Sequence, residues 1–256
     1  MNSLDNHQGQ GLTSFAYELK LDIKMALREP SFIWPTLAFP LMFYVFFGIV
    51  FSDHAGQSSS TYLMVSYGVF GIMAPALFGF GASVASERDK GWLAIKQISP
   101  VSPWQYMIAK LINAILFSLI IVIGLFILGA VFGDVVLTRM QWLSIAGLML
   151  LGSLPFCAIG LAIGFWVKAK SATAVLNLIF LPSAFLSGLA IPVMIFPTWL
   201  QTVAMMLPPY HLSQLGLHLV DMSLGQSIWL HIGFLLTTLI IATFSAVKGY
   251  QHCQTN

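Results

Sequence analysis

Long apolar runs separated by short polar loops dominate the chain from residue 32 onwards. Six of them contain no Asp, Glu, Lys or Arg, and they cover residues 32–51, 61–83, 111–133, 142–167, 172–195 and 226–247. A helix of about 20 apolar residues can cross the hydrocarbon core of a bilayer. The pattern therefore predicts an all-α membrane protein whose six transmembrane helices occupy residues 32–248, with tails at 1–31 and 249–256.

Residues 197–221 interrupt this pattern, because they are apolar but also carry prolines and polar side chains. Their most distinctive stretch is Pro208, Pro209, Tyr210 and His211. Prolines and unpaired polar groups are costly against lipid. We therefore expect this segment to form re-entrant or interfacial helices on the outer side, before the last span, which gives six spans rather than seven.

Composition supports a membrane protein over the other classes. Of 256 residues, 58% are hydrophobic and 8% are charged, whereas soluble domains average about 25% charged residues. The mean hydropathy is +0.86. These values disfavour a soluble enzyme and a disordered protein. A net charge of +2 is too small to indicate nucleic acid as a partner, and two cysteines do not suggest a disulfide framework.

The positive charges indicate the orientation of the six spans. Cytoplasmic loops of membrane proteins carry an excess of Lys and Arg. Six spans place ten of the eleven basic residues on one side, namely Lys20, Lys24, Arg28, Arg88, Lys90, Lys96, Lys110, Lys168, Lys170 and Lys248. Arg139 alone falls on the other side. Both termini are therefore predicted to be cytoplasmic.

Residues 12–30 predict an amphipathic helix before the first span. At about 100° per residue, Phe15, Leu19, Ile23 and Leu27 share one face. The basic residues beside this face are Lys20, Lys24 and Arg28, and the acidic ones are Glu18, Asp22 and Glu29. Such a helix fits the cytoplasmic membrane interface. The alternative is a solvated charged face.

The six runs are nearly free of groups that ionise near neutral pH. They contain only His231, which we interpret as an interfacial histidine rather than a proton relay. Ion-coupled transporters usually need charged coupling sites inside their spans. Coupling to an ion gradient is therefore not indicated.

Enzyme and ATPase motifs are missing as well. The sequence has no H-E-x-x-H, G-x-S-x-G or Walker A pattern. Ser187 has Phe185 where a nucleophile motif needs Gly, and His211 and His218 have no carboxylate or Cys beside them for a metal. We expect no cofactor on this chain, so any ATP energy would have to come from a partner chain, which would bind the ATP and magnesium. An intramembrane enzyme and an ATP-independent carrier or channel are the alternatives.

The most charged stretch lies between the second and third runs, at residues 84–110. Ser86 is placed to cap a short helix over residues 87–98, with two acidic residues in its first turn. Pro100 would end this helix, and Pro103 would begin the next one, which continues into the third span. The charges would then face a cytoplasmic partner. The alternative is an ordinary charged loop.

Several motifs in order resemble those of the ABC-2 type transporter permease family, the transmembrane subunits of ATP-driven exporters. They are Arg28-Glu29-Pro30; Glu87-Arg88-Asp89-Lys90-Gly91 with Trp92-Leu93, Ser99-Pro100-Val101-Ser102 and Lys110; Ser187-Gly188-Leu189-Ala190-Ile191-Pro192; and Leu207-Pro208-Pro209-Tyr210-His211. Together they cover about residues 20–248. Ala94 departs from the pattern, because many relatives carry an acidic residue there.

The resemblance implies a permease in the cell (inner) membrane that works with a separate ATPase. Two permease chains, as a homodimer, would dock on two copies of an ABC ATP-binding subunit. The implied coupling residues are Glu87, Arg88, Asp89, Lys90, Gly91 and Trp92, aided by the interfacial helix with Lys20, Lys24 and Arg28. The implied exit is the outer re-entrant segment with Pro208, Pro209, Tyr210 and His211.

The chemical class of the transported compound can be inferred only from the residue types in the spans. Phe, Leu, Ile, Met and Gly without fixed charge suit an amphiphilic or apolar cargo, such as a drug, antibiotic or lipid-like compound, and thus multidrug efflux. Gly129–Gly133 and Gly160–Gly164 both have the G-x-x-x-G spacing of close helix packing. Each pair is interpreted either as a dimer contact or as packing within the chain.

Overall fold

The computed structural model of the chain describes residues 16, 17, 19–25, 27, 28, 30–51, 57–91 and 103–255, and none of these is in a strand. The all-helical prediction is therefore confirmed for them. After a helical N-terminal segment at residues 19–25, the elements are α1 (Pro30–Phe43), a π-helix (Tyr44–Val50), α2 (Gln57–Asp89), α3 (Pro103–Phe132), α4 (Arg139–Trp166), α5 (Ala169–Leu186), a 3₁₀ turn (Val193–Ile195), α6 (Thr198–Ala204), α7 (Pro208–His218) and α8 (Ile228–Thr255). The predicted sites at Phe15, Glu18, Glu29, Trp92 and Ala94 lie outside the described residues.

Five helices of the described ranges are long and apolar enough to cross a membrane, and they are α2, α3, α4, α5 and α8. The first apolar run forms a shorter apolar helix, Trp34–Val50. It consists of most of α1 and the π-helix that continues it. The six-span count stays a prediction, because this helix falls short of the length of the other five.

Helix α2 is the centre of the bundle, and it packs against α3, α4 and α5. Two glycines of α4 allow its backbone to approach α2 closely. A Cβ at Gly160 would lie 2.6 Å from the carbonyl oxygen of Leu77, and one at Gly164 would lie 2.9 Å from that of Gly81. The Gly160–Gly164 spacing therefore serves packing within the chain, which was one of the two interpretations of the sequence.

Apolar side chains remain exposed along the outer faces of α3 and α8. On α3 they are Ile108, Leu116, Ile120, Ile123, Ile127, Val131 and Phe132, and on α8 they include Leu236, Ile240, Ile241, Phe244 and Val247. Contiguous apolar surfaces of this extent are rare on soluble monomers. Their positions on the candidate spans fit contact with lipid.

Two predicted boundaries differ from the structure. The helix predicted to start at Glu87 does not start there, because α2 continues to Asp89 and Ser86 lies inside it. Contacts of Glu87 and Asp89 with neighbouring helices hold this last turn in place. The fifth run was predicted to extend to residue 195, but α5 ends at Leu186. The start of α3 at Pro103 is as predicted.

Candidate functional site

A buried ion cluster joins three parts of the chain at one end of the bundle. The ammonium of Lys110, on α3, lies 2.9 Å from Asp22 Oδ1 of the N-terminal segment and 2.8 Å from Glu87 Oε1 of α2. All three residues are buried, with Lys110 only 3% exposed. Buried charges are tolerated when they are paired and hydrogen-bonded. We call Asp22, Glu87 and Lys110 the ion cluster.

Neutral side chains complete the hydrogen bonds of the ion cluster. Ser83 Oγ accepts a bond of 2.6 Å from Lys110 and donates one of 3.0 Å to Glu87 Oε1. The hydroxyl of Tyr106 donates to Glu87 Oε2 at 2.8 Å, and the amide of Asn113 donates to Asp22 Oδ2 at 2.8 Å. Asp22 thereby attaches the N-terminal segment directly to α3, and through Lys110 to α2.

Arg88 and Asp89, which follow Glu87 on α2, form hydrogen bonds to both sides of the turn between α4 and α5. The guanidinium of Arg88 donates to the carbonyls of Gly164, Phe165 and Val167, which close α4. Asp89 Oδ2 accepts a 3.0 Å bond from the amide of Ala169, which opens α5. Such contacts satisfy helix-terminal groups that have no partner inside the helix.

The predicted coupling residues therefore divide into two groups. Glu87, Arg88 and Asp89 contact neighbouring parts of the same chain, whereas Lys90 and Gly91 are exposed beyond the end of α2. Gly91 has a φ of +72°, which is a left-handed conformation that favours glycine. In the predicted interfacial helix, Lys20, Lys24 and Arg28 are exposed.

A cavity of about 1140 Å³ opens beside the ion cluster, between α1, α2, α3 and α5. Its polar lining includes all three residues of the ion cluster together with Thr36, Ser83, Ser86, Lys90, Asn113, Thr173 and Asn177. Its aromatic lining consists of Phe39, Phe43, Phe47, Tyr67, Phe70, Phe78, Phe117, Phe180 and Phe185. The cavity is thus amphiphilic, with charge at one end and aromatic rings along the rest.

The predicted re-entrant segment forms the two short helices α6 and α7. Pro208 is the first residue of α7, where its missing amide hydrogen costs nothing, and Pro209, Tyr210 and His211 are buried. The Tyr210 hydroxyl donates to Gln226 Oε1 at 3.1 Å. Burial raises the pKa of Tyr210. Whether this pair of helices enters the membrane from the outer side stays a prediction.

His211 pairs with His231 of α8. Its Nδ1 lies 2.8 Å from His231 Nδ1, and its Nε2 lies 2.9 Å from the carbonyl oxygen of Met205. A carbonyl only accepts, so His211 Nε2 donates and, in the neutral pair, His231 Nδ1 donates to His211 Nδ1. Burial lowers the pKa of His211, and the bond to Met205 opposes this effect.

The residues considered for chemistry have structural contacts instead. His218 is exposed and its Nδ1 lies 3.4 Å from Ser223 Oγ, whereas His211 is buried and contacts His231. Within the described ranges, no group of three or more His, Cys, Asp or Glu could hold a metal ion. Ser187 Oγ is buried and donates to the carbonyl of Ala184 at 3.4 Å.

Comparison with known proteins identifies the family of the chain. Residues 53–248, well over half of the chain, match the family model described as "ABC-2 family transporter protein". The chain belongs to this family. A protein of Bacillus subtilis (strain 168), provisionally named transport permease YvfS, is 26% identical over 222 residues, which cover 86% of this chain and 90% of that protein.

Membership of the ABC-2 family decides the general role of the chain. It is a permease subunit of a transporter and a multi-pass membrane protein, rather than an enzyme in its own right. The family also implies association with an ABC ATP-binding subunit. The predicted family resemblance is thereby confirmed.

Sequence reasoning did not find the ion cluster or the histidine pair. The sequence predicts Asp22 on a flank of the interfacial helix and Lys110 in the helix that begins at Pro103 and continues into the third span. The one available signal was the position of Glu87 and Lys110 at the facing ends of consecutive apolar runs. No sequence signal distinguished His231 from an ordinary interfacial histidine.

Proposed function

We propose that this chain is the permease subunit of an ATP-driven ABC exporter that moves an amphiphilic or apolar compound, as in multidrug efflux. The observation that carries the proposal is the amphiphilic cavity between α1, α2, α3 and α5. Its aromatic walls suit the apolar body of a cargo, and its polar end suits a headgroup. Ligand sites typically combine an apolar lining with a few placed polar groups.

The extent of the cavity supports a path rather than a local pocket. Its lining includes both Ala169 and Phe185, which lie at opposite ends of α5. At about 1.5 Å per residue, this separation is about 24 Å. The hydrocarbon core of a bilayer is about 30 Å thick. A cargo in this cavity would therefore have lining residues beside it through most of the membrane.

The proposed assembly is a homodimer of permease chains in the inner membrane, bound to two ATP-binding subunits. Ten of eleven basic residues on one side support six spans with cytoplasmic termini. In this arrangement Trp34–Val50 is the first span, and α6 and α7 are re-entrant helices on the outer side. The ion cluster then faces the cytoplasm.

The contacts of α2 suggest how movement of an ATP-binding subunit would reach the cavity. Lys90 and Gly91 are exposed, so they offer a surface for docking. Glu87 bonds to Lys110 of α3, which in turn bonds to Asp22 of the N-terminal segment, and Asp89 bonds to the α4–α5 turn. A displacement at the end of α2 is thereby passed to three elements that border the cavity. Trp92, the next residue in the sequence after Gly91, is included among the proposed docking residues.

The function is tested by reconstituting the full chain with its ATP-binding subunit. We expect a stable complex and ATP-dependent movement of amphiphilic dyes into inverted vesicles, tested with neutral, cationic and anionic dyes. The purified chain alone should hydrolyse no ATP. Transport by the chain alone in liposomes would contradict the proposal and favour a carrier or channel. A chemical activity lost in Ser187→Ala would instead favour an enzyme.

Docking is tested separately with Lys90→Glu. Lys90 is exposed, so reversal of its charge should weaken the complex without unfolding the permease. Reversal of Glu87 or Arg88 is a poorer test, because it breaks contacts within the chain. The matched control is Arg139→Glu, an exposed basic residue on the predicted outer side. An equal effect of the two variants on complex formation would overturn the docking assignment.

A further inference from the structure

We infer that the cavity binds cationic amphiphiles in preference to anionic ones, with the cationic group beside Asp22 and Asn113. This inference rests on the proposed function, since it names the charge class of the cargo for the same cavity. It follows from the charge of the ion cluster, from the hydrogen-bonding capacity of its members and from the nature of the cavity walls.

The ion cluster carries excess negative charge. It contains two carboxylates, from Asp22 and Glu87, and one ammonium, from Lys110, so its formal charge is −1 at neutral pH. All three side chains are buried, at 2–11% exposure. Charge in a buried site is screened far less than charge in water. A cation that approaches the cluster through the cavity would therefore be attracted, and an anion would be repelled.

Lys110 has no hydrogen-bond donor left for an anionic ligand. Its ammonium has three hydrogens, and it makes three bonds, to Asp22 Oδ1, Glu87 Oε1 and Ser83 Oγ. An anionic headgroup would have to break one of these bonds in order to use the lysine. The basic residue of the cluster is thus occupied, although its presence in the cavity lining first suggests an anion site.

Asp22 and Asn113 have acceptor capacity to spare. Asp22 accepts one bond at each oxygen, from Lys110 and from Asn113, whereas a carboxylate offers about four acceptor positions. Asn113 Oδ1 is buried and has no donor among the described residues. Its orientation is fixed, because the amide nitrogen donates to Asp22 Oδ2. A ligand with N–H groups or a diffuse positive charge complements both residues.

The aromatic lining of the cavity also favours a positively charged ligand. Nine of its lining residues are aromatic, and none of them is Trp. The face of an aromatic ring carries partial negative charge and attracts cations. Stacked and edge-on pairs such as Phe70–Phe180, with ring centroids 5.0 Å apart, and Phe78–Phe180, at 5.7 Å, hold these faces in place.

One further charged residue lines the cavity. Lys90 is exposed, whereas the members of the ion cluster are buried. Solvent and salt screen an exposed charge, so Lys90 weighs less on a bound ligand than Asp22. The lining formed by the described residues has no other Asp, Glu, Lys, Arg or His. The negative ion cluster therefore dominates the field at the polar end of the cavity.

The experiment compares two ions of nearly the same size and shape but opposite charge. The full chain is reconstituted in nanodiscs, and binding of tetraphenylphosphonium and tetraphenylborate is measured by equilibrium dialysis. Uptake by empty nanodiscs of the same lipid composition is subtracted, because both ions partition into bilayers. We expect the cation to bind the protein about tenfold more tightly than the anion, or better.

Two variants and one control test where the preference arises. Asp22→Asn keeps the size of the side chain but removes one charge, and it should weaken binding of the cation about tenfold. Asn177→Lys adds a positive charge on an exposed lining position of α5, away from the ion cluster, and it should shift the preference towards the anion. Asp221→Asn is the control, because Asp221 is exposed and Asn tolerates its φ of +57°. It should change neither the binding of the cation nor the preference between the two ions.

The outcomes separate this inference from the proposed function. Equal binding of the two ions, or the same response to Asp22→Asn and Asp221→Asn, would overturn the charge preference. Exclusion of both ions would also overturn it, because it would indicate that a second copy of the chain fills the cavity. If ATP-dependent transport is found alongside any of these results, the permease function stands; the error then lies in the cargo class or, where both ions are excluded, in the cavity assigned to the cargo. If no complex with an ATP-binding subunit forms, the proposed ATP-driven export itself fails.

Discussion

Lys110 Nζ lies 2.9 Å from Asp22 Oδ1, although 88 positions separate the two residues in the chain. This bond and the 2.8 Å bond to Glu87 connect the N-terminal segment with two helices of the bundle. In the ABC-2 permease, these elements also border the cavity. The same three side chains thus stabilise the end of the bundle and contribute charge to the proposed cargo path.

Removal of the ammonium should destabilise the protein strongly. Lys110→Met leaves the carboxylates of Asp22 and Glu87 buried without a counter-ion, and loss of one partner of a buried pair costs about 3–5 kcal/mol. We expect a large fall in the midpoint of thermal unfolding of the detergent-purified protein. Lys248→Met is the matched control, because Lys248 is exposed and lies over the ring of Phe244. A similar small shift in both variants would show that the ion cluster is not stabilising.

Loss of the Arg88 guanidinium should loosen the turn between α4 and α5. In Arg88→Ala, the carbonyls of Gly164 and Val167 lose their donor, and a bond to a charged donor contributes about 1.5–3 kcal/mol. Hydrogen exchange should accelerate at residues 167–171. Arg88→Lys should restore only part of the protection, since an ammonium cannot reproduce the planar fork. Arg139→Ala, which removes an exposed arginine, should leave exchange at this turn unchanged.

The apolar runs predicted the helices because a membrane span must be both apolar and helical. The start of α3 at Pro103 was also predictable, because proline favours the first turn of a helix. The sequence did not show where the helix of the second run ends, or which charged residues pair there. The sequence limits of the second and third spans excluded Glu87 and Lys110, but these residues neutralise each other across two helices. Such pairing depends on the fold, and no local pattern encodes it.

Gly160 should tolerate no side chain. A Cβ there would lie 2.6 Å from the carbonyl oxygen of Leu77 and 3.0 Å from that of Ala76. Backbone atoms of α2 cannot move aside cheaply, so Gly160→Ala should cost about 1–3 kcal/mol of stability through overpacking. Thermal unfolding of the purified protein measures the loss.

The control for this substitution lies in the same helix. Among the described residues, no side chain and no neighbouring helix lies within 4 Å of the position that a Cβ at Gly147 would take. Gly147→Ala should therefore be neutral or slightly stabilising, since Ala favours helices over Gly. If Gly160→Ala dissociated a dimer but left the unfolding midpoint unchanged, the glycine would serve an interface between chains instead of packing within one.

The histidine pair illustrates a different limit of sequence reasoning. His211 and His231 are 20 residues apart, on two helices joined through a turn-rich segment. Each residue alone is typical of a membrane interface. Their contact depends on the angle at which α7 meets α8, which neither hydrophobic pattern reports. The cavity is similar, because its aromatic residues come from four helices and a π-helix and share no motif.

Acid should destabilise the contact between α7 and α8. Burial lowers the pKa of His211 below its usual value of 6.5, so the unfolded chain binds a proton at this position more readily than the folded protein. The stability that neutral His211 contributes is fully present above about pH 6.5 and is lost progressively as the pH falls below that value. The groups that face His211 are His231, the Met205 carbonyl and the rings of Tyr210 and Phe234, and none of them offers a negative charge to a protonated His211.

The midpoint of thermal unfolding, measured between about pH 7.5 and about pH 5.5, tests this prediction. In the unsubstituted protein the midpoint should fall with acidification, and in His211→Gln the fall should be smaller, because the titrating group is gone while a polar side chain remains. His252→Gln is the control, since His252 is exposed in the last turn of α8, far along the helix from His231; it should retain the full pH dependence. If His252→Gln reduced the dependence as much as His211→Gln, the effect would come from general acidification of the surface and not from the buried pair.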